Sequence, residues 1–201
     1  EMAYYKQHFS KVRTREQLDR IRRDDARVFR DALGDDAAEA PPVDDLVVLL
    51  AQAFETHVLP DALPAIQRLR AAGVPAGVVS NFSYQLPLIL EDVGLGGLLD
   101  PIIVSAEAGF EKPDVAIFAA AARAANTTSD RCVMIGDDLL ADIAGAQSAG
   151  MPAIWVNRRH EPVPGDVTSA ADLADAASII LSGNWRAPPP RDGDAPMGAA
   201  P

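Results

Sequence analysis

The 201-residue chain has a single cysteine, Cys132, and so cannot close an internal disulfide. A disulfide-stapled secreted scaffold is excluded, and a reducing, cytoplasmic setting is expected. The neighbours Val133, Met134 and Ile135 predict a thiol within a buried strand, not a reactive one. No apolar stretch approaches the roughly 20 residues that a membrane-spanning helix needs. The opening of the chain is dense in Arg, Asp and Glu, so neither an anchor nor a signal peptide is expected. Basic charge is also short: 18 Lys and Arg stand against 29 Asp and Glu, a net charge of −11 with His neutral. Such a field repels phosphate backbones and anionic lipid, which argues against nucleic-acid and membrane-surface partners. The three histidines, His8, His57 and His160, are isolated and read as surface or packing residues.

What is present is enough apolar material for a core, with 48% hydrophobic and 23% charged residues. Residues 1–59 read as wholly helical. Thr14 and Gln17 fit a capping box, Leu18, Ile21, Phe29 and Leu33 recur near helical spacing, and Gly34 supplies a stop. After Pro41-Pro42, Val43, Leu46, Val47, Leu50 and Phe54 form a second helical stripe, although Leu46 to Leu50 also tolerates a strand. The arginines of the first helix alternate with Asp and Glu and predict a solvated, ion-paired face.

From Pro60 the rhythm changes to strands and helices in alternation. Helices are expected from Asp61 to Arg70, Tyr84 to Val93, Asp114 to Ala125, and up to Ala149. Ala76 to Ser80, Ile102 to Ser105, Cys132 to Ile135, Ala153 to Val156 and the apolar run Ser178 to Leu181 read as strands. Short apolar strands separated by helices require a parallel sheet covered on both faces. The expected fold is therefore α/β, a doubly wound Rossmann-like parallel sheet over residues 60–183, preceded by an all-helical segment. Residues 184–201 hold five of the 16 prolines and are expected to be a disordered tail.

In open parallel sheets ligands sit beyond the carboxyl ends of the strands. Three such ends carry polar groups: Val78-Val79-Ser80-Asn81, Gly109-Phe110-Glu111-Lys112-Pro113-Asp114, and Ile135-Gly136-Asp137-Asp138 followed by Asp142. Each has an ordinary alternative. Ser80 and Asn81 could merely end a strand, Lys112 could be a surface lysine, and Asp137 or Asp138 could cap a helix. Capping does not readily account for three carboxylates so close together, which repel one another unless a cation shares them. Mg²⁺, a hard ion that takes oxygen ligands, relieves that repulsion and can bind a substrate phosphate.

The order VVSN, GFEKPD, IGDDLLADIAGA and AGMPAIWV, over residues 60–157, resembles the haloacid dehalogenase (HAD) superfamily of hydrolases, in the branch with a helical cap. The likeness is greatest to its phosphatase-like members that act on small metabolites. The resemblance implies that Ser80 and the N–H of Asn81 bind the oxygens of a transferring phosphoryl group. It implies that Lys112 offsets the charge of phosphate and nucleophile, and that Asp137 ligates Mg²⁺ with Asp142 in support, directly or through water. Asp138 falls at a variable position. The implied partner is a small phosphorylated metabolite, selected by the cap at residues 1–59.

Family members open with an apolar strand ending in Asp-x-Asp, whose first Asp attacks phosphorus and whose second acts as general acid and base. That strand lies between those ending at Ser80 and Gly136. The only Asp-x-Asp of this kind here is Asp192-Gly193-Asp194, in the Pro-rich tail with no strand before it. The chain is therefore expected to lack the N-terminal segment and to be inactive alone. The strands ending at Ser80 and Gly136 are expected to lie apart or to close abnormally, with Leu46 to Leu50 as a less favoured substitute strand. Two other readings stay open. One is haloacid dehalogenation, which needs no metal and is disfavoured by the clustered carboxylates. The other is a non-catalytic phosphate-binding or interaction protein.

Overall fold

The computed structural model describes residues 8–34, 40–53 and 57–185. Helix α1 (Arg15–Ala32) starts at Thr14, whose Oγ1 accepts the N–H of Gln17 at 3.2 Å. Gln17 Oε1 in turn accepts the N–H of Arg13 at 2.8 Å, one residue before the reciprocal partner of a capping box. Gly34, at φ +59°, follows the helix in the left-handed region that glycine adopts without strain. Helix α2 (Val43–Ala53) contains Leu46 to Leu50, so that run is helical. Exposed pairs join Arg23 to Asp44 at 3.4 Å and Arg27 to Asp24 at 2.8 Å. Phe54 and Asp192-Gly193-Asp194 lie outside the described residues, as does all of the expected tail beyond Trp185.

The α/β alternation follows: α3 (Ala62–Ala71), β1 (Val78–Ser80), α4 (Leu86–Asp92), β2 (Ile102–Val104), the short α5 (Ser105–Ala108) and α6 (Val115–Ala124). Then come β3 (Met134–Gly136), a π-helical turn (Leu139–Ala144) running into α7 (Gly145–Ser148), β4 (Ala153–Val156), β5 (Thr168–Ala170) and α8 (Leu173–Ser182). Two expectations are corrected. Ser178 to Leu181 is not a strand but the last part of α8, because Asp172 caps the N–H of Asp175 at 2.8 Å and Ala176, Ala177 and Ile180 bury one helical stripe. The fifth strand is instead the polar Thr168–Ala170. Cys132 lies two residues before β3, half-buried, instead of inside a strand.

All strand pairs are parallel, in two sheets among the described residues: β1 with β2, and β3-β4-β5. Residues alternate between two layers. Ile135, Ile154 and Ala170 pack with Leu69, Ala177 and Ile180 of α3 and α8. Met134, Ala153 and Trp155 face Ile117, Phe118 and Ala146, and Val79 and Ile103 of the other sheet join this second layer. The core thus continues across both sheets although no strand of the described residues is hydrogen-bonded between β1 and β3. The consequence is visible in burial: all four residues of β4 are buried, whereas every residue of β1 and β3 is only half-buried. A third cluster of Phe9, Val12 and Leu18 docks on Phe82 and Tyr84, with Phe9 and Phe82 edge to face at 4.8 Å.

Candidate active site

The ends of β1 and β3 meet at Lys112, whose own segment is not a strand end as expected but a turn beyond α5, eight residues after β2. Its main chain is held by Asn81, the first residue after β1: the Asn81 side-chain amide donates to Lys112 O at 2.9 Å, and Asn81 Oδ1 accepts the Lys112 N–H at 2.7 Å. A side chain thus acts as one strand of a miniature ladder and fixes the Glu111-Lys112-Pro113 segment against the end of β1. The Lys112 ammonium then donates to Val79 O at 2.9 Å and to Asp142 Oδ1 at 2.6 Å. The two side chains of that ion pair are only 12% and 7% exposed.

Asp142 has its second oxygen committed as well. Oδ2 accepts the N–H groups of Asp137 and Asp138, each at 3.1 Å, and so folds the loop after β3 around the carboxylate. This close approach requires a glycine at 136, where a Cβ would run into the Asp142 carboxylate. Asp138 caps the following turn, with Oδ1 accepting from Leu140 N and Ala141 N at 2.8 Å. The Asp137 carbonyl accepts the Trp155 indole N–H at 3.1 Å. Its carboxylate is exposed and makes no hydrogen bond or ion pair among the described residues.

The structure brings Asn81, Lys112, Asp142 and Asp137 into one bonded chain of contacts and sets Ser80, the half-buried last residue of β1, beside it. Of the three clustered carboxylates, only Asp137 is uncommitted. That donor set fits Mg²⁺, which keeps several waters and needs only one or two carboxylates besides a substrate phosphate. It does not fit a cage made by the protein alone, and no group of three His, Cys, Asp or Glu suited to a metal occurs among the described residues. The exposed Asp137 carboxylate is left without a partner among the described residues, and Asp142 holds its loop from behind.

Two partners in this site were not singled out from sequence: the Asn81 side chain as a clamp on Lys112, and Trp155 as a donor to Asp137. The turn before Lys112 also lines a cavity of about 560 Å³ with Ser10, Lys11, Arg13, Ser105 and Glu111. Ser80, Lys112 and Asp137 do not line it. Among the described residues no helix is long and apolar enough to cross a membrane.

A family model described as haloacid dehalogenase-like hydrolase matches residues 3–150. Over 121 residues the chain is 33% identical to the ribulose-1,5-bisphosphate 5-phosphatase of Halopiger xanaduensis, covering 60% of this chain and 49% of that protein. Over 130 residues it is 34% identical to the glyceraldehyde 3-phosphate phosphatase of Methanothermobacter thermautotrophicus, covering 60% of this chain and 58% of that protein. These matches therefore span about half the length of each curated relative, at 49% and 58%. In fold the chain is similar to the HAD phosphatase of Thermococcus onnurineus, with a TM-score of 0.60 and 23% identity over 92% of this chain and 91% of that one. The match over most of its length, together with the α/β fold, places this chain in the haloacid dehalogenase-like hydrolases.

Proposed function

We propose that the chain supplies the phosphate- and metal-binding part of a Mg²⁺-dependent phosphatase that acts on a small phosphorylated metabolite in the cytoplasm. Residues 60–183 serve as its core and residues 1–59 as its cap. The observation that carries the reading is the placement of Lys112, whose ammonium sits at the end of β1 and pairs with Asp142, the residue that folds the Asp137 loop. The phosphatase names of the two curated relatives support it.

Phosphoryl transfer is chiefly a matter of positioning and of neutralising charge on equatorial oxygens. In this reading the Ser80 hydroxyl and the Asn81 N–H donate to those oxygens, and Lys112 offsets their charge. Asp137 would hold Mg²⁺, and Asp142 keeps Asp137 in place. The chemistry such an ion would supply there is neutralisation of charge on the phosphoryl oxygens. Among the described residues no strand ends in Asp-x-Asp, and none of these residues is given the role of the attacking carboxylate.

The test is steady-state phosphate release from an aryl phosphate, with and without EDTA. The 201-residue chain is expected to stay at background, and fusion of an apolar strand ending in Asp-x-Asp to its N-terminus is expected to give EDTA-sensitive turnover. In the fused protein Asp137→Ala or Lys112→Ala is expected to abolish that turnover, since groups acting as a unit lose most of the rate together. Robust turnover by the unfused chain would overturn the reading that none of these residues is the attacking carboxylate, and a fused protein indifferent to Asp137 would overturn the metal assignment.

A further inference from the structure

Trp155 is 3% exposed in the middle of β4. A buried indole N–H needs an acceptor. The parallel register of β3 and β4 sets Trp155 opposite Gly136, which places the indole beside the first peptide beyond the strand. There it donates to the Asp137 carbonyl at 3.1 Å. The N–H of the same residue is already held by Asp142 Oδ2 at 3.1 Å. Asp137 is thus fixed through both of its backbone groups while its carboxylate, exposed, has no partner among the described residues. A carboxylate on a loop pinned in this way leaves the backbone in a set direction before any ligand arrives, which removes an ordering cost from binding. The indole also engages the Asp137 carbonyl, a hard oxygen that would otherwise be free to compete with the carboxylate for a cation.

We propose that Trp155 is a positioning residue for cation binding, acting through the Asp137 carbonyl. The inference rests on the metal assignment proposed above. It extends that assignment to the layer behind the ligand, where the loss of one hydrogen bond commonly weakens metal binding by roughly 10-fold or more.

The chain carries its own control, because it has two tryptophans and the other, Trp185, donates its indole N–H to Ile180 O at 3.1 Å, at the end of α8. The experiment is a titration of the 201-residue chain with MgCl₂ followed by ¹H–¹⁵N correlation spectra. The Trp155 indole cross-peak is expected to move with the same apparent affinity as the amides of Asp137 and Asp138, while the Trp185 indole cross-peak stays still. Asp137→Asn is expected to silence the Trp155 response. Trp155→Phe keeps an aromatic ring while removing the donor together with the pyrrole half of the indole, and it is expected to weaken Mg²⁺ binding by roughly 10-fold, read from the Asp138 amide.

If the Asp137 and Asp138 amides move and the Trp155 indole does not, the inference fails and the metal assignment stands. If none of them responds to millimolar Mg²⁺, the metal assignment fails and the inference falls with it. Retention of wild-type affinity by a folded Trp155→Phe protein also overturns the inference. The wild-type spectra can overturn the inference even if that variant does not fold.

Discussion

The ammonium of Lys112 and the carboxylate of Asp142 meet at 2.6 Å with almost no access to water, and each has further partners: Val79 O for the lysine, the N–H groups of Asp137 and Asp138 for the aspartate. A buried pair of this kind contributes little net stability when intact but leaves an uncompensated charge when one side is removed. Lys112→Met is expected to destabilise the chain by about 3 kcal/mol, measured by urea denaturation. Asp142→Leu is expected to cost more, by about 1–3 kcal/mol, because it also strips the acceptor from two backbone N–H groups. Equal losses for the two variants would show that the loop contacts of Asp142 carry no weight. Cys132 provides a contrast at the same scale: burial, and then the negative charge of Asp130, push its thiol pKa up, so it has the character of a packing residue.

At the scale of elements, the strand β3, the loop after it and the π-helical turn form one unit organised around a glycine. Gly136 is the last residue of β3, and a Cβ there would overlap the Asp142 carboxylate. Gly136→Ala is therefore expected to destabilise by about 1–3 kcal/mol, the usual cost of forcing atoms into a packed site. It is also expected to displace the Asp137 and Asp138 amide resonances from their wild-type positions. Unchanged stability and spectra would mean that the loop does not close on Asp142.

Much of this unit was legible beforehand. Ser80 and Asp137 stand out because each ends or follows a short apolar run at the carboxyl end of a parallel strand, whereas Lys112 lies beyond α5, eight residues after β2, and Asp142 lies inside the π-helical turn. The bounds of β4 were readable from Ala153 to Val156 because the strand is buried on both faces. Asn81 and Trp155 were not legible in their roles, since those depend on which distant segment the fold sets opposite them. Ser178 to Leu181 misled because a four-residue apolar run has no periodicity of its own, and Thr168–Ala170 went unread because its stabilising partner is β4, not its own composition.

At the scale of the whole molecule, segments far apart in sequence are held by a few polar ties as well as by the core. Lys112 links the end of β1 to the loop that follows β3, joining the two sheets. Asp61 does the same at another corner: its Oδ2 accepts from Arg158 Nη2 at 2.7 Å and from Leu173 N at 2.8 Å. Asp61 stands at the N-terminal boundary of α3 without capping it, and instead connects that boundary to the loop after β4 and to the start of α8. Burial pushes its carboxyl pKa up, but the hydrogen bonds from the Leu173 N–H and the Arg158 guanidinium outweigh it, and the pKa is lowered from its ordinary 3.8. A carboxyl with a lower pKa folded than unfolded stabilises the fold fully above the unfolded value, and that contribution disappears as pH falls through the folded value. Asp61→Asn is accordingly expected to be less stable than the wild type at neutral pH, with the difference shrinking once the pH drops below 3.8. Chemical denaturation of both proteins across that range is the measurement. A difference that stays constant down to strongly acidic pH would show that the Asp61 charge is not what ties these three segments together.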